Sequence, residues 1–174
     1  PAILDDAVVG TQARALFDDA QQMLSRMVSE KWLRARAVIG FWPAHSRGED
    51  VILETVSGEH RLHFLRQQAQ KPDSRPNLCL ADFISPSSDF LGAFAVNCGE
   101  GVDARARAFE QAHDDYSAIL LKALADRFAE AFAERLHLHV RTDLWGYAPG
   151  EQLTNAALIR EDYRGIRPAP GYPA

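Results

Sequence analysis

Residues 103–140 contain neither glycine nor proline. A run of that length without the two strongest helix breakers restricts the fold more than any other feature of the chain. Ala, Leu, Phe, Glu, Arg and Lys dominate it, and the reading is one helix of roughly 35 residues, about 50 Å long at 1.5 Å per residue. Its apolar positions, from Phe109 and Ala112 through Tyr116, Ile119, Leu120, Ala123, Leu124 and Phe128 to Ala131, Phe132 and Leu136, form a stripe wide enough to pack across a sheet.

The residues before this run change period. Residues 6–29 read as a first helix, with Val8, Val9, Ala13, Leu16, Phe17, Ala20, Met23, Leu24 and Met27 along one face. Arg36–Trp42 is rich in β-branched and aromatic residues and reads as a strand that Pro43 ends. Val51–Val56 and His60–Leu65 flank Ser57-Gly58-Glu59 as a hairpin, with glycine supplying the positive φ of the turn. Residues 70–77 are a polar loop, and Leu78–Ile84 and Phe90–Asn97 read as two further strands. Strands that follow one another with short connections favour an antiparallel meander over βαβ units. Thr154–Arg160 reads as a short helix with Thr154 at its N-cap. The expectation is an α+β fold: a twisted antiparallel sheet packed against long helices, in one domain spanning 1–174.

Composition narrows the function classes. With 47% apolar and 25% charged residues in 174, the chain can build a core without disulfide staples. Cys79 and Cys98 lie in apolar runs and read as buried free thiols, and no cysteine or histidine spacing suits zinc. A net charge of −5 argues against binding nucleic acid. No apolar run approaches a membrane span, and no signal peptide opens the chain, so a reducing, cytoplasmic setting is expected. Both ends read as cut from a larger polypeptide.

No nucleophile elbow, phosphate loop, dinucleotide fingerprint or zinc-protease motif is present. His113-Asp114-Asp115 reads as a solvated helix face, since adjacent helical residues do not face one way. His137 and His139 take surface or packing roles. Glu130 and Glu134, one turn apart, read as solvated charges. The unusual segment is the tail, Gly165-Ile166-Arg167-Pro168-Ala169-Pro170-Gly171-Tyr172-Pro173. Prolines stiffen it, and an arginine on a stiff loop is placed to grip a carboxylate with two hydrogen bonds. A structural linker with an exposed arginine is the competing reading.

Five blocks decide between them: CLADFISP (Cys79–Pro86), FLGAFAVNCG (Phe90–Gly99), the segment His113–His137, WGYAPGEQL (Trp145–Leu153) and the RPAPGYPA tail. In order and spacing, over essentially the whole chain, they resemble the activation domain of cobalamin-dependent methionine synthase. The resemblance implies a methyltransferase domain that binds S-adenosylmethionine and supports reductive methylation of oxidised cobalamin. The corrinoid would be held mainly by the cobalamin-binding domain of the same enzyme, and flavodoxin or a flavoprotein reductase would supply an electron. Neither nucleic acid nor a membrane enters this reading. A non-catalytic corrinoid-protein interaction module is the alternative.

The same resemblance implies the site. Arg167 matches the arginine that holds the methionine carboxylate, Ala169 offers backbone contacts, and Tyr172 lies near the corrin edge. Pro168 and Gly171 belong to the same ligand-binding loop. Glu130 and Glu161 are the acids expected to serve the ligand's positive end. No metal ligand and no catalytic residue is expected in this chain. A ligand-contacting aspartate of the family falls upstream of Pro1, and further aromatic contacts fall downstream of Ala174.

Overall fold

A computed structural model describes residues 2–71 and 75–169. Helix α1 spans Gly10–Ser29, followed by strands β1 (Arg34–Arg47), β2 (Asp50–Thr55), β3 (Gly58–His63) and β4 (Asp89–Glu100). Helices α2 (Val102–Gln111), α3 (Asp115–His139) and α4 (Asn155–Ile159) follow. The strands form one four-stranded antiparallel sheet in the order β3-β2-β1-β4. The α+β class expected from the sequence is therefore the observed one. The contacts divide the chain into two compact units, residues up to 36 together with 96 onward, and residues 37–95.

In the 37–95 unit, Arg47↔Asp50 and Thr55↔Gly58 close two tight hairpins. Gly58 takes φ +110°, as the turn reading requires, and Thr55 Oγ1 ties the loop by donating to the Gly58 carbonyl at 2.9 Å. The core is Ala44, Val51, Leu53, Cys79 and Ala81, with Trp42, Leu62 and Ile84 packed against it. Two strand expectations need correction. Pro43 does not end β1; the β1–β2 register begins at Ala44, so a missing N–H at 43 removes none of its paired bonds. Leu78–Ile84 is not a strand either. Residues Leu80–Phe83 form a 3₁₀ turn, because the Asp82 carboxylate accepts the Cys79 N–H at 2.9 Å and offers the backbone a local alternative to a ladder.

In the other unit, the apolar core joins α1, α2 and α3 through Met23, Met27, Trp32, Val102, Ala106, Ala118, Leu121 and Ala125. Helix α1 begins at Gly10 rather than residue 6, since Asp6 accepts the N–H groups of Val8 and Val9 in a turn of its own. Its apolar stripe is buried only at Met23 and Met27, while Val8, Leu16 and Phe17 stay exposed.

The long helix expected over 103–140 is two helices. His113 sits at φ +58°, its N–H donates to Glu110 O at 3.0 Å, and the Asp114 N–H reaches back to Phe109 O at 2.9 Å. That is a Schellman end. Asp114 then caps α3, accepting from the Ser117 N–H at 3.0 Å. His113-Asp114-Asp115 is a helix junction, not a helix face. The break resets the phase of the stripe: Ala118, Leu121 and Ala125 are buried, and Tyr116 and Ile119 are exposed. Thr154 caps α4 as expected, through the Ala157 N–H at 3.3 Å. Both cysteines are buried and free. Among the described residues no helix is long and apolar enough to cross a membrane.

Candidate functional site

The last turns of α3 bring Glu134, His137 and Arg141 onto one face, at spacings of three and four. Helix α3 passes into a π-helical turn over Val140–Leu144, with Trp145 N–H donating to Val140 O at 2.9 Å. The WGYAPGEQL segment then folds back. Ala148 N–H donates to Arg141 O at 2.8 Å, and Glu151 arrives beside the Arg141 side chain.

Arg141 is fully buried. Its Nη2 and Nε donate to Glu151 Oε1 and Oε2 at 2.6 and 2.9 Å, and its Nη1 donates to His137 Nδ1 at 2.6 Å. A guanidinium can only donate, so His137 Nδ1 accepts and Nε2 carries the proton. Tyr163 lies under the Arg141 guanidinium at 4.3 Å and meets the His137 ring edge-on at 4.9 Å. A large cation is thus removed from water with its charge answered by one carboxylate, one imidazole and one aromatic face.

The electrostatics follow from the burial. Burial, with the nearby Arg141 and Arg167 charges, holds His137 down to about 4, so it is neutral at pH 7. The Arg141 hydrogen bonds hold the Glu151 carboxyl below its ordinary value. Burial by itself would lower Arg141, but the Glu151 bonds and charge outweigh it and the net direction is up. Burial raises the Tyr163 phenol, Glu161 adds to the rise, and Arg167 pulls against it.

Tyr163 also anchors the loop that follows α4. The turn through Glu161 closes α4 with a second Schellman end: Glu161 at φ +58°, and the Asp162 N–H on Ala157 O at 3.0 Å. Gly165, at φ +91°, would place a Cβ 3.2 Å from the Tyr147 hydroxyl, so a bare backbone suits the passage. Beyond it, Arg167 Nη2 donates to Glu134 Oε2 at 2.6 Å. Both side chains are about two-thirds or more buried, and Arg167 Nε and Glu134 Oε1 are buried with no hydrogen-bond partner.

The structure brings together some of the residues singled out in the sequence and not others. Arg167 lies in the tail loop with its side chain partly buried against Glu134 of α3, and Pro168 and Ala169 are exposed beside it. Glu161 is exposed two residues before Tyr163. Glu130 is exposed and paired with Arg127 at 3.0 Å. Gly171 and Tyr172 lie outside the described residues. Glu134, His137, Arg141, Glu151 and Tyr163 were not read as a cluster. The spacing of Glu134, His137 and Arg141 was the available signal; the partners at 151 and 163 had none, and Arg167 was singled out by the tail motif without its pairing to Glu134. Among the described residues no group of His, Cys, Asp and Glu is arranged to hold a metal ion. A separate cleft lined by Met27, Trp32, Leu33, Cys98 and Phe128 contains none of these residues.

A family model described as the activation domain of vitamin B12-dependent methionine synthase matches residues 1–174. A solved structure described as the MetH reactivation domain bound to AdoHcy is similar to this chain, with a TM-score of 0.89 and 51% identity. The match covers 99% of this chain and 55% of that chain, so this chain spans about half the length of that relative.

Proposed function

The chain belongs to the activation-domain family of vitamin B12-dependent methionine synthase, a methyltransferase, and from that premise we propose that it binds S-adenosylmethionine at the Arg167 loop and supports reductive methylation of cobalamin. The observation that carries this reading is the largely buried Arg167, whose Nε is a buried donor without a partner, in a fold whose solved relative holds AdoHcy. A spare guanidinium donor fits a ligand carboxylate.

S-adenosylmethionine would supply the methyl group and leave as S-adenosylhomocysteine, with the corrinoid that takes the methyl held mainly by the cobalamin-binding domain of the same enzyme. The residues of this chain bind and orient. Arg167 grips the carboxylate, Pro168 fixes the backbone beside it, and Ala169 offers its peptide groups. Glu130 and Glu161 contribute negative potential for the ammonium and sulfonium. The family resemblance assigns Gly171 to the ligand-binding loop and Tyr172 to the corrinoid. Flavodoxin or a flavoprotein reductase provides the electron. The setting is the cytoplasm, which two free thiols at Cys79 and Cys98 support.

Calorimetric titration of AdoHcy into the full-length enzyme tests the site. Arg167→Ala and Arg167→Lys should each weaken binding roughly ten- to hundred-fold, the worth of a charge-assisted hydrogen bond. Lysine fails because it keeps the charge but loses the planar fork. Equal affinities in wild type and both variants would remove Arg167 from the site.

A further inference from the structure

The Arg141 guanidinium engages all three of its nitrogens: Nε and Nη2 donate to Glu151, and Nη1 donates to His137 Nδ1. Its N–H groups lie in the plane of the group, so what remains to offer is a face. Tyr163 takes that face, with the guanidinium carbon 4.3 Å from the ring centroid. His137 meets the same ring edge-on, with the planes at 88°. Two contacts in different directions fix the ring, and it is buried, where a cation–π contact is strongest.

The loop that follows returns along the helix. Tyr163 sits at the level of His137 and Arg141, and Arg167 at the level of Glu134. Glu134 and Arg141 are seven positions apart, about 10 Å of helix rise. The four residues from Tyr163 to Arg167 reach at most about 14 Å, so the two holds match with little slack. Between them Gly165 passes the Tyr147 hydroxyl on a path that leaves little room for a side chain. Of the two holds, Tyr163 is the more enclosed; the Arg167–Glu134 pair still meets water. Slack at the first hold would therefore be passed on to the second.

We propose that Tyr163 is a positioning residue for Arg167: its ring face, seated on the cluster of Arg141, Glu151 and His137, sets where the tail-loop guanidinium meets a ligand carboxylate. The inference rests on the reading that Arg167 receives the carboxylate of an S-adenosyl ligand. Tyr163 acts through Arg167 and touches no ligand itself. The role belongs to the ring, since the contacts with Arg141 and His137 are both made by the ring and not by the hydroxyl.

The test is calorimetry on the full-length enzyme with AdoHcy and with methylthioadenosine, which keeps the nucleoside and the sulfur but has no amino-acid end. Tyr163→Leu should weaken AdoHcy roughly tenfold and leave methylthioadenosine within about twofold. Tyr163→Phe keeps the face and should stay within about twofold of wild type for both. In an Arg167→Ala background, Tyr163→Leu should cost AdoHcy nothing further, because the residue it positions is gone. Equal losses for the two ligands, or a full additional loss in the double variant, would reduce Tyr163 to general support of the fold and overturn the proposal. A loss in Tyr163→Phe as large as in Tyr163→Leu would assign the effect to the hydroxyl and overturn it too, as would no loss in Tyr163→Leu. If Arg167→Ala alone leaves AdoHcy unchanged, the underlying site reading fails instead. Should Tyr163→Leu not fold, Tyr163→Met fills the space without an aromatic face, and the same selective loss is expected of it. An unselective loss there would again overturn the proposal.

Discussion

Arg141 and Arg66 both grip a carboxylate with two hydrogen bonds, yet they sit in opposite surroundings. In the unit that includes residues from 96 onward, Arg141 is fully buried and its partner Glu151 almost so. In the 37–95 unit, Arg66 donates to both Asp82 oxygens at 2.7 and 2.8 Å and to Glu49 at 3.0 Å, with about a third of the side chain in water. Arg66 and the Cys79 N–H hold the Asp82 carboxyl down to about 2. The chemistry of the pairs is the same, but the dielectric is not. A desolvated pair fixes geometry because breaking it strands a charge, whereas a solvated pair fastens a loop that water can also satisfy.

The most severe test of this contrast is Glu151→Ala. It leaves Arg141 buried without a countercharge and should cost about 3–5 kcal/mol of stability in urea unfolding, the range for breaking a buried pair. A loss no larger than that of an exposed pair would show that water reaches Arg141.

Acid gives an intermediate effect, and it separates the two regions by pH. His137 is held at about 4, below the ordinary 6.5. Between those values the unfolded chain binds a proton that the folded chain refuses, so stability falls as pH drops from about 6.5 toward 4 and is flat in this group above 6.5. His137→Gln, which keeps an acceptor for Arg141 but does not titrate, should flatten the melting temperature across that window. Asp82 acts lower. Its contribution is present above the unfolded carboxylate value and is lost as pH falls toward about 2. Region-resolved hydrogen exchange should therefore show the residues around Arg141 loosening at a higher pH than those around Asp82. The reverse order would contradict the assignment.

Arg66→Ala should change the unfolding midpoint least of these variants, and its difference from wild type should shrink further in 1 M salt, where the screening length is about 3 Å. A salt-insensitive loss comparable to that of Glu151→Ala would mean that the Arg66 cluster is not a surface pair at all.

How much of this was legible beforehand depended on range. The β2–β3 hairpin, the Thr154 cap and the two buried thiols are stated by residues within a few positions of one another, and each reading matches the structure. The break between α2 and α3 was missed for an equally local reason. α1, α2 and α4 all close with a left-handed residue that is not glycine: Lys31, His113 and Glu161. Glycine and proline are sufficient punctuation but not necessary punctuation, since a cap at Asp114 and two backbone bonds stop a helix as well. The strand read through Leu78–Ile84 failed because one aspartate redirected the backbone.

The sequence by itself determined the α+β class, the helical and strand periods, and the motif blocks that place the chain in its family. It also singled out Arg167. Only the tertiary structure decided which acid stands beside that arginine, that Arg141 is enclosed, and that Tyr163 lies under it. Glu134 and Arg167 are separated by 33 positions, and a charge on an amphipathic helix reads as solvated until a distant segment covers it. Periodicity records which face is apolar. Whether a charged residue on another face is desolvated depends on long-range chain closure, and that closure creates both the cost of burying Arg141 and the fixed geometry of the site.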